Sequence, residues 1–287
     1  MDVPVAEPQV ETPPTPPPLW PGFVTLLLSM VALLGGGALI GIALLLESAR
    51  RGEKLDALAI VTTPAGILAS AAVSQLALLV SVVVLPRLFK DTPLGWPARV
   101  RWVTARLHPL RVVVAWLGTL AVGSLATTLL EPLRTKSDIL SRFGDVARDA
   151  PLPIFVALLF FGAVMPGVGE ELMFRGLLQS RLEQRWKVLP SILLTAALFG
   201  AYHLDLRQGL AAMAMGWWLG WLAWRDGSVV NVAIGHMLNN ATAFMLSRFA
   251  PTSEDVERSP LVIGISVGVV LVCIACGTWL TKKKETT

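Results

Sequence analysis

Pro153-Ile-Phe-Val-Ala-Leu-Leu-Phe-Phe-Gly-Ala-Val-Met-Pro-Gly-Val-Gly-Glu170-Glu171-Leu-Met-Phe-Arg175 is the stretch on which the fold turns. Seventeen residues from Pro153 to Gly169 pass without a charge, and then two carboxylates and a guanidinium arrive within six positions. A run of about 20 apolar residues is long enough to cross a bilayer. Ionisable groups at that depth cost at least a few kcal/mol each and mark function by default. The stretch therefore reads as a membrane helix, expected from Pro153 to about Trp186, that carries a polar centre. Two more polar motifs follow on later apolar segments, Phe199-Gly-Ala-Tyr-His203 and His236-Met-Leu-Asn-Asn240. Two of the chain's three histidines fall in them.

Working outward, the whole chain has the same character. Its 287 residues are 54% hydrophobic and only 15% charged, against about a quarter charged in soluble domains. This composition predicts an all-α, polytopic transmembrane helix bundle in a single domain. The ten-residue alternation of a membrane β-barrel is absent. Eight spans are expected, at about 23–46, 64–85, 110–130, 153–186, 189–204, 209–224, 229–249 and 261–280. Residues 1–19 are rich in proline and predict an extended, disordered tail. The bundle then covers 20–281, with its motif core at about 150–245, and a basic tail closes the chain at 282–287. Ile139, Leu140, Phe143, Val146 and Ala147 share one helical face opposite Arg142, Asp145 and Arg148, so 137–149 is expected as a short amphipathic helix.

Charge placement speaks to topology and partners. The net charge of +4 comes from basic residues at span ends, which fits lipid headgroups and not nucleic acid. Acidic Asp2, Glu7 and Glu11 stand where a secretory signal would be positive, so the first span is expected to be retained. Eight spans put both termini on one side. That side collects 13 Lys and Arg against 10 on the other, with Arg175 left out, which favours cytoplasmic termini. Cys273 and Cys276 lie inside the last span and are expected to pack rather than do redox chemistry. Trp224 beside Arg225 fits an interfacial belt, Trp217 is expected to pack, and His108 in the basic loop is expected to face solvent.

The motifs also read as chemistry. Glu171 and Arg175 are four residues apart, on one helix face and in the favourable acid-before-base order. Paired, they offset each other's cost at depth. Glu170 points about 100° away on an α-helix and is left to act on a water as general base. His203 is placed to hold that water. His236 and Asn240, again four apart, present a ring N–H and an amide N–H₂ that suit an oxyanion hole. Together the parts suit attack of an activated water on an amide carbonyl. No cofactor is required, but zinc stays open, because Glu170, His203 and His236 also form a two-His, one-carboxylate ligand set. A transporter and a non-catalytic scaffold stay open as other classes. A transporter would show paired broken helices in two repeated halves, and no repeat is visible.

The ordered set EExxxR, FxxxH and HxxxN on successive membrane helices resembles the CPBP family, the CAAX-protease and bacteriocin-processing proteins, also called Abi or type II CAAX prenyl endopeptidases. The resemblance covers about residues 150–245. It implies an intramembrane glutamate-type protease acting on a peptide or membrane-anchored tail. Carried onto this sequence, it implies Glu170 as base, His203 as the residue that positions water, and His236 with Asn240 as oxyanion donors. Family members have also been described as metalloproteases. The eukaryotic branch trims prenylated CAAX proteins. The Ala/Gly/Leu/Arg-rich composition here looks bacterial, so the inner membrane is the expected location, and peptide maturation, bacteriocin self-immunity or sorting of surface proteins is the expected setting.

Overall fold

The computed structural model describes residues 16–52, 63–88, 95–134, 139–250 and 260–281, with the backbone alone at 139–143. Most of the Pro-rich stretch, the tail at 282–287 and the first two residues of the expected amphipathic segment lie outside these residues. Every long element is a helix, and no strand occurs among the described residues.

We number the main helices α1 (Trp20–Arg50), α2 (Pro64–Leu88), α3 (Pro109–Leu129), α4 (Ile139–Asp149), α5 (Leu152–Glu183), α6 (Val188–Tyr202), α7 (Leu206–Asp226), α8 (Val230–Phe249) and α9 (Pro260–Leu280). All but α4 occupy the eight expected spans. The local sequence explains the boundaries. Exposed His108 caps α3, its Nδ1 accepting from the Leu110 N–H at 3.2 Å ahead of Pro109, whose missing donor costs nothing in a first turn. Asp205 caps α7 through Gln208 at 2.8 Å, and Gly227 ends that helix in the left-handed conformation, φ 64°. The amphipathic helix forms as expected where it is described: Ala147 is buried, while Asp145 and Arg148 are exposed.

Five helices, α1, α2, α3, α5 and α9, have the length and apolarity of membrane spans. The other three expected spans differ for physical reasons. α6 is apolar but only 15 residues long. α7 and α8 carry Arg207, Asn231, His236 and Asn239, all buried. These helices face protein more than lipid, so their hydropathy is diluted where the site is built. The molecule is a helical membrane bundle whose polar helices sit inside.

α1 packs along α2, α6 forms a hairpin with α7, and α3 is flanked by α7, α8 and α9. α5 runs between α2 and α8. A Cβ added to Gly167 of α5 would lie 2.8 Å from the Met237 backbone nitrogen and 2.9 Å from the Ala233 carbonyl oxygen of α8. Glycine there lets the two backbones touch. One correction concerns a tryptophan. Trp217 is exposed and does not pack, whereas its neighbour Trp218 is buried against Gly118. Cys273 is buried and Cys276 half-buried, both as free thiols packed on the core.

The start of α8 settles how a histidine only six residues into a helix reaches the site. Ser228 and Val229 are fully buried. The segment between α2 and α3 folds over them: Val229 N–H donates to the Arg101 carbonyl at 3.1 Å, the Ser228 hydroxyl to Val103 O at 3.1 Å, and the Asn231 amide to Arg106 O at 2.9 Å. Asp226 holds Arg111 and Asn231 beside them. Irregular backbone is tolerated at depth when its polar groups are met in this way. The same end of the bundle carries the start of α1, where Arg181 and Arg185 bond the carbonyls of Pro16, Pro17 and Pro18. It also carries the end of α9, where Arg111 bonds Leu280 O.

Candidate active site

The first motif lies where α5 departs from α-helical winding. Phe160–Val164 and Glu171–Gln179 are π-helical, and the α-helical turn Met165–Glu170 lies between them. Such wide turns are rare and frequent at functional sites. Pro166, which cannot donate to the preceding turn, follows the first of them.

The expected Glu171–Arg175 pair is present. Arg175 Nη1 donates to Glu171 Oε1 at 2.9 Å, with both side chains fully buried. Arg175 also donates through Nη2 to Gly216 O at 3.2 Å, and its guanidinium lies 4.3 Å from the Phe199 ring centre. A buried charge so held is tolerated because its partners are fixed.

His236 joins the two glutamates. Its Nδ1 is 2.9 Å from Glu171 Oε1, and its Nε2 is 3.9 Å from Glu170 Oε2. A carboxylate oxygen only accepts, so Nδ1 carries the hydrogen and Nε2 is the nitrogen turned to Glu170. One imidazole thus bridges the sides of the two carboxylates. Glu170, Glu171 and His236 are all buried.

A further contact comes from outside the motifs. Gln75 of α2 donates from Nε2 to Glu170 Oε1 at 3.1 Å. Sequence reasoning passed over Gln75 because span two was read by hydropathy alone. The available signal was a lone amide in the interior of an otherwise apolar run.

His203 and Asn240 stand one step further out. The His203 ring packs edge-on at 5.0 Å from Phe199, whose ring centre is 6.2 Å from that of His236. Its Nδ1 is 2.9 Å from Phe199 O, which leaves Nε2 facing away from the backbone. No hydrogen bond or ion pair joins it to Glu170 among the described residues. The following Leu204 takes a left-handed φ of 56° that turns the chain sharply into α7. Asn240 donates to Gly162 O at 3.3 Å and accepts from Asn239 at 3.0 Å. It sits one turn beyond His236, beside the first wide turn of α5. The structure thus brings Glu170, Glu171, Arg175 and His236 into one contact group, with His203 and Asn240 at its edges. Among the described residues no group of three or more His, Cys, Asp or Glu is placed to hold a metal ion. The ligand set of Glu170, His203 and His236 is therefore not assembled here.

Residues 152–242 match the family model described as type II CAAX prenyl endopeptidase Rce1-like. That segment is similar to this family. The match agrees with the resemblance carried by the three motifs and takes in the whole contact group except Gln75. An Rce1-like segment in a bundle with five span-length helices supports an integral membrane endopeptidase of the CAAX type in general. No curated protein and no solved structure matches the chain.

Proposed function

We propose that this protein is an intramembrane endopeptidase in which Glu170 activates a water for attack on a peptide bond. One observation carries the reading. Glu171 is engaged by both Arg175 and His236, whereas Glu170 Oε2 faces His236 Nε2 at a distance longer than a hydrogen bond. One carboxylate is structural and the other keeps an oxygen for a reacting molecule.

The steps follow from these positions. Glu170 Oε2 takes a proton from the water as its oxygen adds to the carbonyl carbon. The carbonyl π electrons move to oxygen. In its imidazolium form His236 gives one N–H to Glu171 and turns the other to that oxyanion. Asn240 adds a second donor once its amide turns from Gly162 O. Glu170 then returns the proton to the leaving nitrogen as the C–N bond breaks. His203 Nε2 orients the water from the edge of the site. The mechanism is metal-free in this reading, which draws support from an amide, not a thiol or carboxylate, one turn from His236.

The substrate class is a peptide or membrane-anchored protein tail, reached from the bilayer. The matched family's description points to prenylated C-terminal tails, and the bacterial look of the composition widens this to other lipid-anchored or hydrophobic tails. The small excess of Lys and Arg favours both termini in the cytoplasm.

Comparison of the membrane peptidomes and proteomes of cells carrying the wild type and Glu170→Ala tests the reading. Uncleaved precursors should accumulate in the variant alone. Identical precursor and product levels in both strains would favour a scaffold or immunity role on the same fold.

A further inference from the structure

We infer that Gln75 is a positioning residue for the glutamate base, so that the site is completed by α2, outside the Rce1-like segment. The inference rests on the reading of Glu170 as base. Three observations carry it. First, Gln75 Nε2 donates to Glu170 Oε1 at 3.1 Å, while Oε2 of the same carboxylate is the oxygen turned to His236. One oxygen is held and the other is left for the water. Second, Gln75 is buried and its own Oε1 meets no hydrogen-bond partner among the described residues. A buried amide with one atom unsatisfied is unfavourable for stability alone. A glutamine that merely joined two helices would do better bonded at both atoms. Third, Gln75 is the one amide of α2. Its neighbours Leu78 and Val82 are core residues, and the helix's one charged side chain, Arg87, lies in its last turn.

The chemistry of the amide fits the role. A carboxylate free to rotate would present either oxygen, or a mixture of the two, to the reacting water. A fixed donor on one oxygen selects a single rotamer, and preorganisation of this kind lowers the barrier without adding binding. A lysine or arginine at position 75 would also hold the oxygen, but it would set a second cation against Glu170 beside His236 and weaken it further as a base. Glutamine gives direction without a countercharge.

Infrared spectroscopy of the full chain in lipid vesicles tests this without a substrate. The difference between wild type and Glu170→Gln isolates the Glu170 carboxyl bands, and the difference with Glu171→Gln isolates those of Glu171. Gln75→Met, of similar size, should move the Glu170 bands and leave the Glu171 bands in place. Gln75→Asn, whose amide is one methylene short, should move them in the same sense. Ser74→Ala, on the adjoining face of α2, should move neither. Bands of Glu170 unchanged in both Gln75 variants would overturn the inference, as would equal movement of both glutamates, which marks a general packing change. On a substrate found by precursor accumulation, Gln75→Met should lower kcat roughly ten- to a hundred-fold, the range of a hydrogen bond to a charged group, with KM unchanged. A rise in KM at constant kcat would also overturn it. The two readings fail separately. Turnover by Glu170→Gln removes the base itself, whereas an inactive Glu170→Gln beside a Gln75→Met of wild-type kcat removes only the role of Gln75.

Discussion

At the scale of single residues, the site is a division of labour between adjacent carboxylates. Glu171 is shared by Arg175 and His236, so its loss strands two partners, while loss of Arg175 strands one. Breaking a buried pair costs about 3–5 kcal/mol because a lone charge is left behind. Glu171→Ala is thus expected to lower the yield and thermal stability of detergent-purified protein more than Arg175→Ala. Replacing Glu171 by Gln together with Arg175 by Met should recover part of the loss. Thermal unfolding of the three variants measures this, and simple additivity would show that the pair does not couple. The metal question also belongs here. Elemental analysis of the purified protein should find no stoichiometric metal, and chelators should leave turnover intact. Near one equivalent of zinc, lost in His236→Ala, would instead place His236 among metal ligands. The i, i+4 spacing made the Glu171–Arg175 pair legible from sequence. The bridge from His236 to both glutamates was not, because it depends on how α8 packs against α5, which no spacing rule announces.

Among the elements, the decisive contact is that of α5 with α8. His236 meets the glutamates because Gly167 lets the backbones approach and because α8 starts deep, under the segment that holds Arg101, Val103 and Arg106. A methyl at Gly167 would meet backbone atoms that cannot swing aside, and such overpacking costs about 1–3 kcal/mol. Gly167→Ala should therefore leave a folded protein with much reduced turnover, whereas Gly264→Ala, where a Cβ meets nothing within 4 Å, should be silent. Activity per folded molecule, read beside thermal stability, distinguishes the two; wild-type activity in Gly167→Ala would show that the close approach is not needed. Hydropathy located all eight apolar stretches to within a few residues. It could not tell which of them face lipid, since that depends on the partners each helix finds. Trp217 and Trp218 show the limit. Adjacent and chemically identical, they differ in burial because only one meets the glycine of α3.

For the whole molecule, the helices sort by polarity. Of the span-length apolar helices, α1, α2 and α9 are the least buried, whereas α5 runs through the interior against the helix bearing His236 and Asn240. The contacts of Arg181 and Arg185 with the start of α1, and of Arg111 with the end of α9, put both ends of the described bundle at one face. In a variant with Cys273 and Cys276 replaced by Ala, single cysteines at Pro16 and Thr281 should react with an impermeant maleimide from the same side of the membrane, the cytoplasmic one. Labelling from opposite sides would contradict the helix order described here. On the proposed role of Gln75, α2, which the motif segment does not include, belongs to the catalytic unit.

The proposed function rests on Glu170, and its most direct test is turnover by purified Glu170→Gln beside the wild type. Both proteins would be reconstituted in lipid vesicles and assayed on a tail peptide identified from accumulated precursor. The amide keeps the shape and the Gln75 contact region but cannot accept the water's proton. Loss of a general base typically costs about 10²–10⁴ in rate. The expected result is a fall in kcat within or beyond that range with wild-type thermal stability. Cleavage at the wild-type rate by folded Glu170→Gln would contradict the assignment of Glu170 as the base.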